Sequence, residues 1–106
     1  MLLVREIMYC KPGKVKPMVE KFLAMNKLGA KMGMPTMRVM TDLSAERFWT
    51  VVAEMEVKDL KAFEEMFSSS VQGQDPETTK QFEELMKGYH DLVDKGRREI
   101  YKIEGP

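Results

Sequence analysis

The chain is poor in the residues from which sites are usually built. Its 106 residues include one cysteine, one histidine and one tryptophan. A single cysteine excludes an intramolecular disulfide, and one cysteine with one histidine excludes a zinc site made from those residue types, so no metal is expected. Net charge is missing too, because 17 basic and 17 acidic residues cancel. A dedicated nucleic-acid binder needs surplus positive charge against phosphate, so nucleic acid is not an expected partner. No apolar run approaches the roughly 18 residues of a membrane span. Charge arrives at Arg5, too early for a secretory signal. The expectation is a cytoplasmic protein with no membrane partner. Gly-rich phosphate loops, His-x-x-x-His, Gly-x-Ser-x-Gly and an oriented carboxylate pair are also absent, which makes phosphate, zinc-hydrolase and serine-hydrolase chemistry poor fits.

What is present has the balance of a soluble globular domain: 43% apolar and 32% charged residues. The length suits one domain, residues 1–106, and is too small for two. Eleven methionines stand out. Most fall on the apolar stripes described below. They fit ordinary core filling, and they equally give a core that adapts to an apolar guest.

Short and long segments alternate. Residues 2–10 carry β-formers and stop at Lys11-Pro12-Gly13, a strand followed by a turn. Leu3, Arg5, Ile7 and Tyr9 share one side; Val4, Glu6, Met8 and Cys10 share the other. Each side carries a charge, so neither face reads as plain solvent surface. Residues 14–32 predict a helix whose stripe is Val15, Met18, Val19, Phe22, Met25 and Met32, stopped by Gly33 and Pro35. Residues 36–41 and 47–57 predict a hairpin with Val39 opposite Trp49. Its strongly apolar face is Met37, Val39, Trp49, Val51, Ala53, Met55 and Val57. Its mixed face carries Thr36, Arg38, Met40, Phe48, Thr50, Val52, Glu54 and Glu56. Residues 59–67 predict a helix capped by Asp59, and 68–74 a loop. Asp75-Pro76-Glu77 opens a third helix striped by Phe82, Leu85, Met86, Tyr89, Leu92 and Val93, ended by Lys95 and Gly96. Residues 98–103 alternate as a last strand.

The order β-α-β-β-α-(α)-β is an α+β, ferredoxin-like split βαβ: a four-stranded antiparallel sheet with helices on one face. The apolar hairpin face meets the helices and the mixed face is left open. Met40, Phe48 and Val52 exposed there make a patch that needs a partner. Two sheets closing face to face, in a symmetric homodimer, cover it.

The element order resembles that of the dimeric α+β barrel superfamily. So do the Lys11-Pro12-Gly13-Lys14 turn and the Arg47-Phe48-Trp49-Thr50-Val51-Val52 strand followed by Leu60-Lys61-Ala62-Phe63. Within it the chain looks most similar to small NIPSNAP-like and antibiotic-biosynthesis-monooxygenase-like proteins. The resemblance spans essentially the whole chain. It implies a homodimer whose two sheets form one barrel, and a ligand cavity between sheet and helices in each protomer. It departs where function would sit. NIPSNAP-type sequences often carry Arg and Tyr where this chain has Glu6 and Met8. The first-strand Asn, late-strand Trp and helix His of haem-degrading members have no counterparts here, so no activity carries over.

Candidate cavity residues are Met37, Val39, Trp49, Met55 and Phe22, with Met34-Pro35-Thr36-Met37 as the rim. Candidate dimer-interface residues are Arg38, Met40, Phe48, Val52 and Glu54, with Arg38 and Glu54 pairing across the interface. Cys10 reads as a small buried or edge residue rather than a reactive thiol. His90, rotated off the third-helix stripe toward Lys87 and Asp94, reads as a surface residue rather than a catalytic or haem-ligating one, and no cofactor is expected. Two functions stay open. One is a homodimer binding a small apolar or aromatic molecule between sheet and helices, extending to cofactor-independent monooxygenation, in which the substrate supplies the reducing power. The alternative is a non-catalytic structural or protein-interaction dimer.

Overall fold

The computed structural model describes residues 1–72 and 76–106, the side chains of 67–72 excepted. Strands β1 (Leu2–Cys10), β2 (Arg38–Thr41), β3 (Thr50–Val57) and β4 (Val93–Lys102) form one antiparallel sheet in the order β2-β3-β1-β4. Helices α1 (Val15–Lys31) and α2 (Leu60–Gln72) pack on β3, and α3 (Pro76–Met86) packs on α1. This is the α+β, ferredoxin-like arrangement expected from the element order.

Strand register assigns the two faces. Val4 lies opposite Met55 and Ile100, Glu6 opposite Ala53 and Arg98, and Met8 opposite Val51 and Gly96. Because side chains alternate along a strand, these residues share the helix-covered face. Arg5 lies opposite Glu54 and Glu99, and Ile7 opposite Val52 and Arg97, on the open face. The covered face holds the core in two parts. Met18 and Phe22 of α1 pack with Cys10, Val51 and Ala53; Phe63 of α2 packs with Val4, Met55 and Val57. Fully burying one such side chain stabilises the fold by about 1.5–3 kcal/mol. Asp59 caps α2, its Oδ1 accepting from the Ala62 N–H at 2.8 Å.

The structure corrects the sequence reading at several places. The hairpin pairs Val39 with Ala53 rather than with Trp49. The displacement is an even number of residues, so the faces survive it. Its cause is the connection, which is longer than the sequence suggests. The Thr50 N–H donates to Asp42 Oδ1 at 2.9 Å, the Asp42 N–H donates to the Thr50 carbonyl at 3.1 Å, and the Thr50 hydroxyl donates to the Arg47 carbonyl at 2.8 Å. These bonds close residues 42–49 into one loop. Phe48 and Trp49 therefore precede β3, and Trp49 has a left-handed backbone, φ 62°.

Helix α2 runs on to Gln72, through the serines read as loop; Gly73, Gln74 and the Asp75 cap lie outside the described residues. Helix α3 stops at Met86, not at Lys95. Gly88, at φ 80°, takes the left-handed conformation that ends the helical path, and a 3₁₀ turn over Tyr89–Asp91 follows. Tyr89, Leu92 and Val93 still pack on the core, through that turn and the start of β4. Gly96 is a strand residue, facing Met8 so closely that an added Cβ would sit 3.1 Å from its sulfur. His90 belongs to the 3₁₀ turn rather than to a helix and is exposed.

Candidate functional site: a methionine-lined cavity

Between the covered face and the helices lies a cavity of about 250 Å³. Its lining follows from element periodicity. Helix α1 turns Met18, Phe22, Met25 and Gly29 toward it; β1 and β3 contribute Glu6, Met8 and Met55. Met32, Met34 and Met37 come from the turn that leads α1 into β2. Met66 of α2 and Phe82 and Met86 of α3 close the remaining side. Nine of the eleven methionines therefore meet in one space. Unbranched thioethers fill irregular volume and re-pack easily around a guest, which branched aliphatics do not.

Three polar devices hold this apolar space. The Asn26 amide clamps the Met37 backbone, donating Nδ2–H to its carbonyl at 2.9 Å and accepting its N–H at 2.8 Å. That fixes the rim turn to α1. Lys21 donates Nζ to the Leu85 and Lys87 carbonyls at 2.8 and 2.9 Å. An ammonium at the C-terminal carbonyls of α3 is favourable with the helix dipole and moors α3 to α1. The third device is an ion pair on the floor. Glu6 Oε1 accepts from Arg98 Nε, and the Arg98 guanidinium lies over the Phe63 ring, 5.0 Å from its centroid. The Glu6 side chain is only 16% exposed.

Of the cavity residues named from sequence, Phe22, Met37 and Met55 line this space; Val39 packs on the core beside it. Trp49 does not line it. At 44% exposed, ahead of β3, it is held off the covered face by its left-handed backbone. Glu6, Arg98, Asn26 and Met8 were missed. The signal for Glu6 and Met8 was present: both alternate with Val4 and Cys10 on the buried side of β1.

The open face is chemically different. Glu54, 7% exposed, is gripped by Arg38 at 2.8 Å and Arg5 at 3.2 Å. Arg38 and Glu54 are direct cross-strand neighbours, so their pair forms within one protomer, not across an interface. Glu99 extends the network to Arg97 at 2.9 Å and accepts from the Tyr101 hydroxyl at 2.9 Å, a bond that, with the carboxylate charge, raises the phenol's pKa. Arg47 stacks on the buried Tyr9 ring at 4.5 Å. A groove of about 530 Å³ runs over this face, lined in part by Met40, Thr41, Val52 and residues 42–46 of the loop. Phe48, 84% exposed, stands on that loop outside the groove. Cys10 is buried, which pushes its thiol pKa up. Among the described residues, no three of His, Cys, Asp and Glu come together as a metal site. No described helix is long and apolar enough to cross a membrane.

No protein-family model matches the chain, and neither does any curated protein sequence. Solved structures do. An uncharacterized NIPSNAP domain protein from Burkholderia xenovorans superposes with a TM-score of 0.76 at 16% identity, covering 100% of this chain and 99% of that one. A NIPSNAP family protein from Agrobacterium tumefaciens gives 0.71 at 12% identity, covering 96% and 92%. An antibiotic biosynthesis monooxygenase gives 0.64 at 12% identity, covering 99% and 100%. At these identities the likeness is one of fold: the chain has the fold of NIPSNAP-domain and antibiotic-biosynthesis-monooxygenase-like structures over its whole length.

Proposed function

We propose that the protein is a cytoplasmic homodimer whose open sheet faces close on each other, each protomer holding a small apolar or aromatic molecule in the methionine-lined cavity. The observation that carries this reading is the convergence of nine thioethers on a single cavity between sheet and helices. Such a lining supplies adaptable apolar contact with no rigid shape of its own. The open face supports self-association. Its groove is lined by Met40 and Val52 over an ion-pair network already satisfied within the protomer, and the loop whose residues 42–46 border the groove also carries the exposed Phe48. Extension to chemistry is narrow. An apolar enclosure that orients an electron-rich aromatic toward dioxygen is what cofactor-free monooxygenation asks of a protein, the electrons coming from the substrate. The monooxygenase with the same fold supports that extension.

The test has two arms. Sedimentation at micromolar concentration should give about twice 12.3 kDa. Phe48→Glu should shift the protein toward monomer, because the exposed side chain costs the protomer little but would bury an unpaired charge in the dimer, on the order of several kcal/mol. A thermal-shift series with two-ring aromatics should raise the melting temperature, since a guest that binds only the folded state stabilises it. A well-folded monomer sinks the assembly, and a flat thermal response sinks the ligand site and leaves the interaction-dimer alternative.

A further inference from the structure

The cavity is not uniformly apolar, and its polar atoms are unequally occupied. Asn26 spends its amide on Met37, and Lys21 spends its ammonium on the carbonyls of Leu85 and Lys87. Glu6 is the sole acid among the described lining residues. It sits on β1, a strand paired on both sides, on the same face as Val4 and Met8. Its Oε1 accepts from Arg98, and among the described residues no hydrogen bond reaches Oε2. An ionised carboxylate has about four acceptor sites.

We infer that the cavity's guest carries a neutral hydroxyl that donates to Glu6 Oε2, with its apolar body among the thioethers. This rests on the reading of the cavity as a ligand site and names its chemistry. Charge selects the hydroxyl. A carboxylate guest would face the Glu6 carboxylate. An ammonium guest would have to settle beside the Arg98 guanidinium. Glu6 and Arg98 already neutralise each other and the Lys21 ammonium is engaged by the Leu85 and Lys87 carbonyls, so the desolvation of either ion is poorly offset. A neutral O–H loses little on leaving water and gains a charge-assisted hydrogen bond in a low-dielectric space. Size limits the body. About 250 Å³ is small beside the range of roughly 300–1,000 Å³ typical of ligand pockets, which suits a molecule of one or two fused rings.

The experiment compares four probes of one shape, 2-naphthol, 2-methylnaphthalene, 2-naphthoate and 2-naphthylmethylammonium, by calorimetric titration at pH 7. The proteins are the parent, Glu6→Gln and Met34→Trp. In the parent, 2-naphthol should bind at least about tenfold tighter than 2-methylnaphthalene, with both ions weaker than either. In Glu6→Gln the naphthol advantage should shrink, naphthoate should gain about tenfold, and 2-methylnaphthalene should hold its affinity. Met34→Trp, which fills the rim of the cavity, should weaken all binding. Equal affinity of 2-naphthol and 2-methylnaphthalene in the parent overturns the hydroxyl anchor while leaving the cavity as a ligand site. Failure of all four to bind a folded parent overturns both readings. Undiminished naphthol binding by Met34→Trp puts the site elsewhere and overturns the inference. If Glu6→Gln does not fold, the parent's ranking of the four probes and the Met34→Trp result decide.

Discussion

The two faces of the one sheet hold a shielded carboxylate in different surroundings. On the open face, Glu54 is nearly buried yet sits between two guanidiniums that reach water, Arg5 and Arg38. On the covered face, Glu6, its side chain 16% exposed, pairs with one guanidinium, that of Arg98, which is itself 46% exposed, beside the methionines and phenylalanines of the cavity. The first arrangement is a network with many members, any of which water can replace. The second is a single pair at the edge of a mostly apolar space, the carboxylate on the cavity side and the guanidinium partly in water, so that the carboxylate's orientation bears on whatever enters. A carboxylate means little until its surroundings are known, and the pairing of β1 with β3 places Glu6 of β1 on one face of the sheet and Glu54 of β3 on the other.

That contrast can be broken by substitution. The largest effect belongs to the covered face: Phe22→Ala should destabilise the protein by about 3–5 kcal/mol in chemical denaturation, because a fully packed aromatic leaves a cavity beside an existing one. Loss of less than about 1 kcal/mol would mean that the methionines collapse into the gap. Next comes Glu54→Gln. In a protomer with its open face wet, Arg5 and Arg38 rehydrate and the cost is about 1 kcal/mol, shrinking with salt. If a second copy covers that face, the cost rises to about 3–5 kcal/mol and becomes insensitive to salt. The measured size therefore reports directly whether the face is covered. The smallest effect is a pH dependence. Burial raises the Cys10 pKa above its ordinary 9.0, so the folded state holds the thiol proton more tightly than the unfolded chain. That contribution is complete below pH 9 and is lost as pH rises through the folded value. Cys10→Ala should flatten this alkaline part of the stability profile. An unchanged profile would assign it to other groups, Tyr101 among them.

Most of the architecture was legible because period-two alternation and helical stripes are local signals. Val4, Met8 and Cys10 against Leu3, Ile7 and Tyr9 assign the faces of β1 without any knowledge of its neighbours. The ends of elements were less legible. Tyr89, Leu92 and Val93 continue the apolar spacing of α3, and only the left-handed Gly88 breaks it; a stripe cannot say whether a glycine inside it bends the chain. The hairpin register depended on Asp42 and Arg47 bonding to Thr50 across the loop, which spacing does not encode. The candidate site was half legible for a similar reason. Phe22, Met37 and Met55 announce an apolar interior through their own stripes. Glu6 and Arg98 become a pair only when β4 is laid against β1, a juxtaposition of residues from opposite ends of the chain.

Trp49 has an optical consequence. It is the chain's one indole. A left-handed backbone leaves it half in solvent, on the loop that borders the open-face groove and away from the lining of the methionine cavity. Its emission colour therefore follows what meets that loop, while a guest among the thioethers leaves it nearly untouched. The molecule carries its own fluorophore for events at this loop, and an independent one is needed for a guest in the cavity.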